Sequence, residues 1–443
     1  RIFTEYANMK KILLHIGSLV LVFGLAMPVA AQPIPTASVK VDSLTLEKAI
    51  ALGLQYNPSI QSAEGNLRSQ SAVVTENLST YYPVIGASAG VTRAGGAFVL
   101  NPSIPPRSQT YDTYVAGISA SQDVFDFGRT QNHVSAANSL EKGSSARYEL
   151  AKENVEVNVE IAYYGYIQTD TIVGANVEAV QQAEKHLQQS KAFYTVGTRP
   201  KTDVTNAEVN LVNANINLIH ARNQEKLAEI QLEQAIGVRL EPGYKVSRLF
   251  PIPVYDVQLD SVEAQALEVR PEILNARERL EANKSLEAAA WDGNLPSVSA
   301  NASYNWTNFN FPLFSKWSAG VTFSLPIFQG MLVSGQADEM QAYVDTAQAN
   351  LEVLTQSVSV EIEQNYYSMK EARDRIDATD QLVAQATENL DLVQKQYAAG
   401  TSSQLDVIDA QVTLTNARIT RIQAEYDYNT GIARFRKSIG LSR

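Results

Sequence analysis

Ser297-Val298-Ser299-Ala300-Asn301-Ala302-Ser303-Tyr304-Asn305-Trp306-Thr307 alternates without a slip: apolar side chains take the even positions, and serine, asparagine and threonine take the odd ones. After a short break, Lys316 to Leu325 repeats the pattern with Trp317, Ala319, Val321, Phe323 and Leu325. A period of two builds a strand with one apolar and one polar face. About ten residues is the length that crosses a bilayer when tilted, and aromatic side chains towards the ends suit the two interfaces. Weaker versions run from Val84 to Arg93 and from Asp112 to Asp123. A soluble sheet on a core shows the same alternation, so the flanking sequence has to decide.

Upstream, Met9-Lys10-Lys11 leads into an apolar run from Ile12 to Met27, and Val29-Ala30-Ala31 places small residues before Gln32. A basic start, an apolar middle and a small-residue exit read as a secretory signal peptide over 9–31, with 1–8 as an upstream extension. The run is short of the ~20 apolar residues that a spanning helix needs. A lipoprotein would need cysteine where Gln32 stands, and the 443-residue chain has none. Zero cysteine also excludes a disulfide framework, Cys-based metal sites and a catalytic thiol. The net charge of −11 argues against nucleic acid as a partner. Mean hydropathy of −0.16 looks soluble.

Downstream and upstream of the strands the chain repeats itself. Tyr163-Tyr164 recurs as Tyr366-Tyr367, and Tyr194, Gly197, Thr198, Asp203, Val204 and Ala207 recur as Tyr397, Gly400, Thr401, Asp406, Val407 and Ala410, an offset of 203. Before the strands the offset is 213, with Leu54, Pro58, Ile60 and Pro83 matching Leu267, Pro271, Ile273 and Pro296. One insertion of ten residues in the first half accounts for the change. It falls between Pro83 and Phe125, where Gly95-Gly96, Pro102, Pro105 and Pro106 suggest a loop. The halves are assigned to 32–258 and 259–443, with a Pro-rich joint near Pro242 to Pro253.

No proline occurs from Arg107 to Arg199 or after Pro326. Helices are predicted over about 129–196 and 330–399, and the series Ile376, Thr379, Val383, Ala386, Leu390, Val393, Tyr397 is a heptad seam. Nearly 70 residues at 1.5 Å each extend roughly 100 Å. Gly197 and Gly400 suit left-handed helix ends, and return helices follow over about 202–236 and 404–439. Each half thus ends in an antiparallel helical hairpin with a narrow tip. Export and these long helices favour a membrane role for the strands. Four strands cannot close a barrel, and a bilayer tolerates no open edge, so other subunits must complete it. Three chains would supply 12 strands.

The tandem halves, paired strands and glycine-tipped hairpins resemble the TolC-like outer-membrane efflux protein family across essentially the whole mature chain. Its local motifs stand here as Val124-Phe125-Asp126-Phe127-Gly128-Arg129, Pro326-Ile327-Phe328-Gln329-Gly330, and the two tips around Gly197 and Gly400. The resemblance implies an α+β membrane protein. Its homotrimer would place a 12-stranded barrel in outer-membrane lipid, continued by a helical tunnel in the periplasm. It also implies docking of the tip to a periplasmic adaptor and an inner-membrane pump, with substrates leaving through the lumen. Docking falls on Val196, Gly197, Thr198, Ala399, Gly400 and Thr401.

Asp406 and Asp409 lie three apart and share a helix face. In the family, acidic residues matching them constrict the closed end. If that face is luminal, threefold symmetry stacks two carboxylate rings that attract cations. The alternative is a solvated helix start favoured by the dipole. Asp203 matches Asp406 and is a candidate for a gate contact with Tyr397. Ser402 stands where a gating arginine is expected, while Arg199 and Pro200 sit in the first tip, so the latch is rewired or weaker. Catalysis is not indicated, and no cofactor or metal site is read. His133, His186 and His220 stand apart, and Gly330 to Gly335 lacks the lysine of a phosphate loop. A periplasmic coiled-coil scaffold without a pore would explain the heptads but not the strands.

Overall fold

The computed structural model describes residues 38–98, 107–241, 243–246 and 259–441. The signal segment 9–31, the residues before it, Pro102, Pro105 and Pro106, and the joint prolines from Pro242 to Pro253 lie outside them. Each half opens with two helices, α1 (Leu46–Tyr56) and α2 (Pro58–Leu78) in the first, α5 (Leu259–Val269) and α6 (Pro271–Trp291) in the second. Strands β3 (Val84–Phe98) and β4 (Arg107–Phe125), or β7 (Ser297–Asn308) and β8 (Phe314–Ser324), come next. Then comes a 67-residue helix, α3 (Arg129–Thr195) or α7 (Leu332–Ala398), and a return helix, α4 (Lys201–Ile236) or α8 (Gln404–Ser438). No described helix is long and apolar enough to cross a membrane.

Local chemistry sets the boundaries. Proline at the first position starts α2 and α6, where its fixed φ and missing N–H cost nothing. The residue before each proline then reaches the far end of its half. Asn57 Nδ2 donates to the Ala235 carbonyl at 2.7 Å, and its repeat counterpart Arg270 donates through Nη1 to the Ser438 carbonyl at 3.2 Å. Short parallel pairs tie the same region, β1 (Ser38–Val39) on β5 (Arg239–Leu240) and β2 (Ser43–Leu44) on β6 (Lys245–Val246).

The apolar interior is duplicated too. Ile60, Val155, Val159, Leu232 and Ile236 centre one cluster, and their counterparts Ile273, Val358, Ile362, Phe435 and Ile439 centre the other. Nearer the tip, Ala386 and Leu390 of the heptad seam pack on Ala410, Leu414 and Ala417.

The sheet runs β3-β4-β7-β8, antiparallel throughout. Its register sorts the side chains into rows. Ala87, Ile118, Tyr304 and Trp317 lie side by side on one face, and Gly86, Ser119, Ser303 and Ser318 on the other. The Ser303 and Ser318 hydroxyls bond at 2.9 Å. Both edge strands keep an unpaired side within the chain.

The first hairpin is longer than the alternation suggested. Gly95 and Gly96, assigned to a loop, are strand residues paired with Thr110 and Gln109. Arg93 pulls the strands together there through a two-pronged bond to Asp112 at 2.7 and 2.8 Å, which offsets the poor strand preference of glycine. The ten-residue insertion therefore lengthens the strands themselves. In the second half, Leu325 falls just outside β8.

A half-buried acid, Glu153, sits where α3 meets the end of α8. Burial first, then the charge of Glu272, pushes Glu153 up to about 7 against the pull of Arg270 and Lys437. Its folded value lies above its unfolded one, so its contribution is full below about pH 4.5 and is lost as pH rises through 7. Glu153→Gln is expected to raise the unfolding temperature at pH 8, by a margin of roughly 1 kcal/mol given its partial solvent access. At pH 5 the gain should vanish, which thermal melts at the two pH values will check.

Candidate functional site

Both helical hairpins turn in the same way. The Gly197 N–H donates to the Tyr194 carbonyl at 3.0 Å and the Thr198 N–H to Phe193 at 3.0 Å; Gly400 and Thr401 do the same to Tyr397 at 3.1 Å and Gln396 at 2.9 Å. This is the Schellman ending, and it needs the left-handed residue that Gly197 (φ 75°) and Gly400 (φ 82°) supply. A Cβ at either glycine would meet open space, so the tips are bare on their outer side.

The return helices then start differently. α8 is capped by Ser403, whose hydroxyl accepts from the Asp406 N–H at 3.3 Å. The Asp406 carboxylate in turn accepts from the Ser403 N–H, the Ser403 hydroxyl and the Ser402 hydroxyl, each at 2.8 Å. That is a capping box. The hydroxyl of Ser403 first, then that of Ser402, holds the Asp406 carboxyl below the usual carboxylate range. Asp406 is thus bound to the cap of its own helix, and Asp409, exposed one turn on, carries the free carboxylate of the pair.

In the first tip Pro200 occupies the cap position. It has neither a hydroxyl nor an N–H, so Asp203, the counterpart of Asp406, has no box to close. Its Oδ2 accepts instead from the Tyr397 hydroxyl at 3.4 Å, across to the other hairpin. Tyr397 is fully buried, with its ring against His186 at 5.3 Å and Phe193 at 5.9 Å. Burial, then the Asp203 charge, raises its hydroxyl above the usual phenol range. It therefore stays a donor.

Arg199 completes the crossing. Its guanidinium lies 4.7 Å above the Tyr397 ring, and Nη2 donates to the carbonyls of Tyr397 at 3.1 Å and Ser402 at 3.3 Å. A cation there meets the negative end of α7 as well as the ring face. Gln404 adds a bond from its amide to the Asp203 carbonyl. Further along, amides line the groove between α4 and α8, including Asn206, Asn210, Asn213 and Asn217. Asn210 donates to Gln411 at 3.2 Å.

The sequence placed Asp203 and Tyr397 together, noted Arg199 as a departure, and missed His186, Phe193 and Gln404. A signal existed: Arg199, Pro200 and His186 stand where the repeat has Ser402, Ser403 and Asn389. Burial lowers His186, leaving a neutral ring beside Tyr397. No cluster of three or more His, Asp or Glu side chains able to hold a metal ion occurs among the described residues.

A sheet with one apolar face, set on helices of roughly 100 Å whose tips are hydrogen-bonded to each other, defines a segment of a membrane-anchored helical duct. The family model for outer membrane efflux proteins matches residues 49–238 and 263–441. The chain belongs to the outer membrane efflux protein family. Outer membrane protein TolC of Escherichia coli is 23% identical over 410 residues, 87% of this chain and 80% of that protein. The alkaline protease secretion protein AprF of Pseudomonas aeruginosa is 25% identical over 425 residues, 90% and 86% of the two. Among solved structures, the Campylobacter jejuni CmeC outer membrane channel superposes with a TM-score of 0.81 at 20% identity, over 89% of this chain and 85% of that one. The chain is an outer-membrane exit duct with a periplasmic helical extension, and the pore-less scaffold is set aside. The family is one of transport channels.

Arg199 joins the two tips through backbone carbonyls and a ring, none of which titrates near neutral pH. Arg199→Ala is expected to raise single-channel conductance in planar bilayers several-fold with assembly unchanged. Unaltered conductance would remove Arg199 from the closed state.

Proposed function

We propose that three copies close into a 12-stranded barrel that passes substrates across the outer membrane from an inner-membrane pump, with a periplasmic adaptor seated on the tips. The observation that carries this is the four-stranded sheet: one face is apolar, and both edges are open. An unpaired strand edge in hydrocarbon leaves several backbone groups unsatisfied, each costing several kcal/mol, about 2–7 on transfer scales. A further copy on each edge removes that cost, and ring closure leaves no edge.

Within the chain the two halves join through β4 and β7, in a register that pairs Ile118 with Tyr304. Advancing that contact by one repeat sets β8 against β3 of the next copy, with Val321 opposite Val91 of the partner subunit. Both valines are exposed on the apolar face of the isolated chain. The lumen then takes the serine and asparagine face.

At the narrow end, three copies of Asp409 form a carboxylate ring that favours cations over anions. Asp406 adds its charge while capping α8. The docking surface is the bare outer side of the two Schellman turns, Val196, Gly197, Thr198 and Ala399, Gly400, Thr401. The small residues there let another hairpin approach closely.

Two experiments test these readings separately. Because the chain has no cysteine, Val91→Cys combined with Val321→Cys gives a clean background. Oxidation is expected to yield covalent multimers of up to three chains on denaturing gels. Val91→Cys with Leu325→Cys, four residues out of register, should yield none. Gly197→Trp is expected to leave heat-labile trimers and conductance intact while abolishing efflux in cells. Full drug resistance in that variant would move docking elsewhere.

A further inference from the structure

Near their tips the two hairpins differ in one short stretch of the long helix. In the second hairpin, Asn389 and Gln396 of α7 are exposed. At the offset of 203 their counterparts in the first are His186 and Phe193 of α3. These two rings close on Tyr397 of the other hairpin, and Ser190, between them at steps of four and three, is fully buried. His186 is 4% exposed and Tyr397 1%, whereas Tyr194, the repeat mate of Tyr397, is 47% exposed. One tyrosine is seated in a socket and the other is bare.

The socket is incomplete in one place. His186 Nε2 is buried and has no hydrogen-bond partner. A neutral imidazole can keep that nitrogen as an idle acceptor, but an imidazolium has two donors and needs a partner for each. From α4, Asp203 is the carboxylate that acts on the ring, and it already accepts from the Tyr397 hydroxyl at 3.4 Å. The Arg199 guanidinium lies 4.7 Å from the Tyr397 ring, and from α8 comes only the neutral Gln404, bonded to the Asp203 carbonyl. Further charges on these helix ends are exposed. Lys191 of α3 pairs with Glu208 of α4 at 3.4 Å, Lys395 of α7 pairs with Asp391 at 2.5 Å, and Glu184 and Lys185 face solvent. Burial lowers His186, and the Asp203 charge opposes it only in part.

Resting on the exit-duct reading above, we propose that His186 is a proton-sensitive seat for Tyr397: acid charges its ring, the ring leaves the socket for water, and the joined tips part. The direction follows from burial. With the tips joined the proton is disfavoured, and with the ring in water it binds at the ordinary histidine value of about 6.5. The joined state therefore has its full stability above about pH 6.5 and loses it as pH falls further. An imidazolium would also share the Tyr397 ring with the Arg199 cation, and like charges so close repel. Three copies share one opening, so the response to pH is steeper than a single titration. The duct thus opens more readily in acid surroundings.

Single-channel conductance of the full protein in planar bilayers, compared at pH 8 and pH 5, tests this. The unaltered protein is expected to conduct several-fold more at pH 5. His186→Asn, which installs the residue of the other repeat, and His186→Leu, which fills the socket without a titrating group, should both assemble as heat-labile trimers. Neither should gain conductance with acid. Glu153 titrates in the same range, at about 7, but sits where α3 meets the end of α8, away from the tips. Glu153→Gln should therefore keep the acid response. Equal conductance of the unaltered protein at the two pH values, or an acid rise kept by either His186 variant, would overturn the proposal and leave the duct standing. Both His186 variants fully open at pH 8 would reduce His186 to packing and overturn it as well. Folded trimers that conduct at neither pH would instead overturn the duct reading.

Discussion

Hydrocarbon cannot satisfy a backbone hydrogen bond, and the rest of this molecule follows from that. Strands β3 and β8 each leave a row of N–H and C=O groups without partners inside the chain. In water such an edge is an aggregation hazard; in lipid it is untenable. A chain with four strands and export to the outer membrane is therefore an incomplete object by itself. The exposed apolar side chains of α4, Val209, Val212, Ile216 and Ile219, say so a second time, from the periplasmic side.

Duplication is how a chain of this size meets the requirement. Each half supplies a strand pair, a helical hairpin and an apolar cluster, and the halves meet through β4 with β7 and through α3 with α6 and α8. A contact that joins unlike ends of a repeat can be used again between copies, because the next copy presents the same end. The two joints are not chemically equal, however. Inside the chain two charged pairs and an amide pair bridge α3 and α8, whereas the corresponding positions on α4 and α7 hold two amides, a histidine and three acids.

Much of this was legible in the order of residues. Alternation identified the strands and their faces, and absence of proline identified the long helices. The expected ends of those helices and of their return helices fall within two residues of the observed ones. Gly95 and Gly96 misled because strand preference is local, whereas the Arg93 to Asp112 bond that holds them spans a hairpin. The charged knot of Arg270, Glu272 and Glu361 was invisible for the same reason: its members are 2 and 91 residues apart and meet only when α6 crosses α7. At the tip, repeat alignment flagged Arg199 as an oddity, but only the fold brings its guanidinium over Tyr397. His186 looked isolated because its neighbour is 211 residues away.

The exchange of one cap residue between repeats has a wider meaning. Ser403 binds Asp406 into its own helix, and Pro200 releases Asp203 to a different one. Proline at the cap therefore does more than begin a helix. It frees a local stabilising group to accept a hydrogen bond from the other hairpin, 194 residues away. Two originally equivalent ends thus come to differ: one return helix closes its carboxylate on its own first turn, and the other lends its carboxylate to the opposite hairpin.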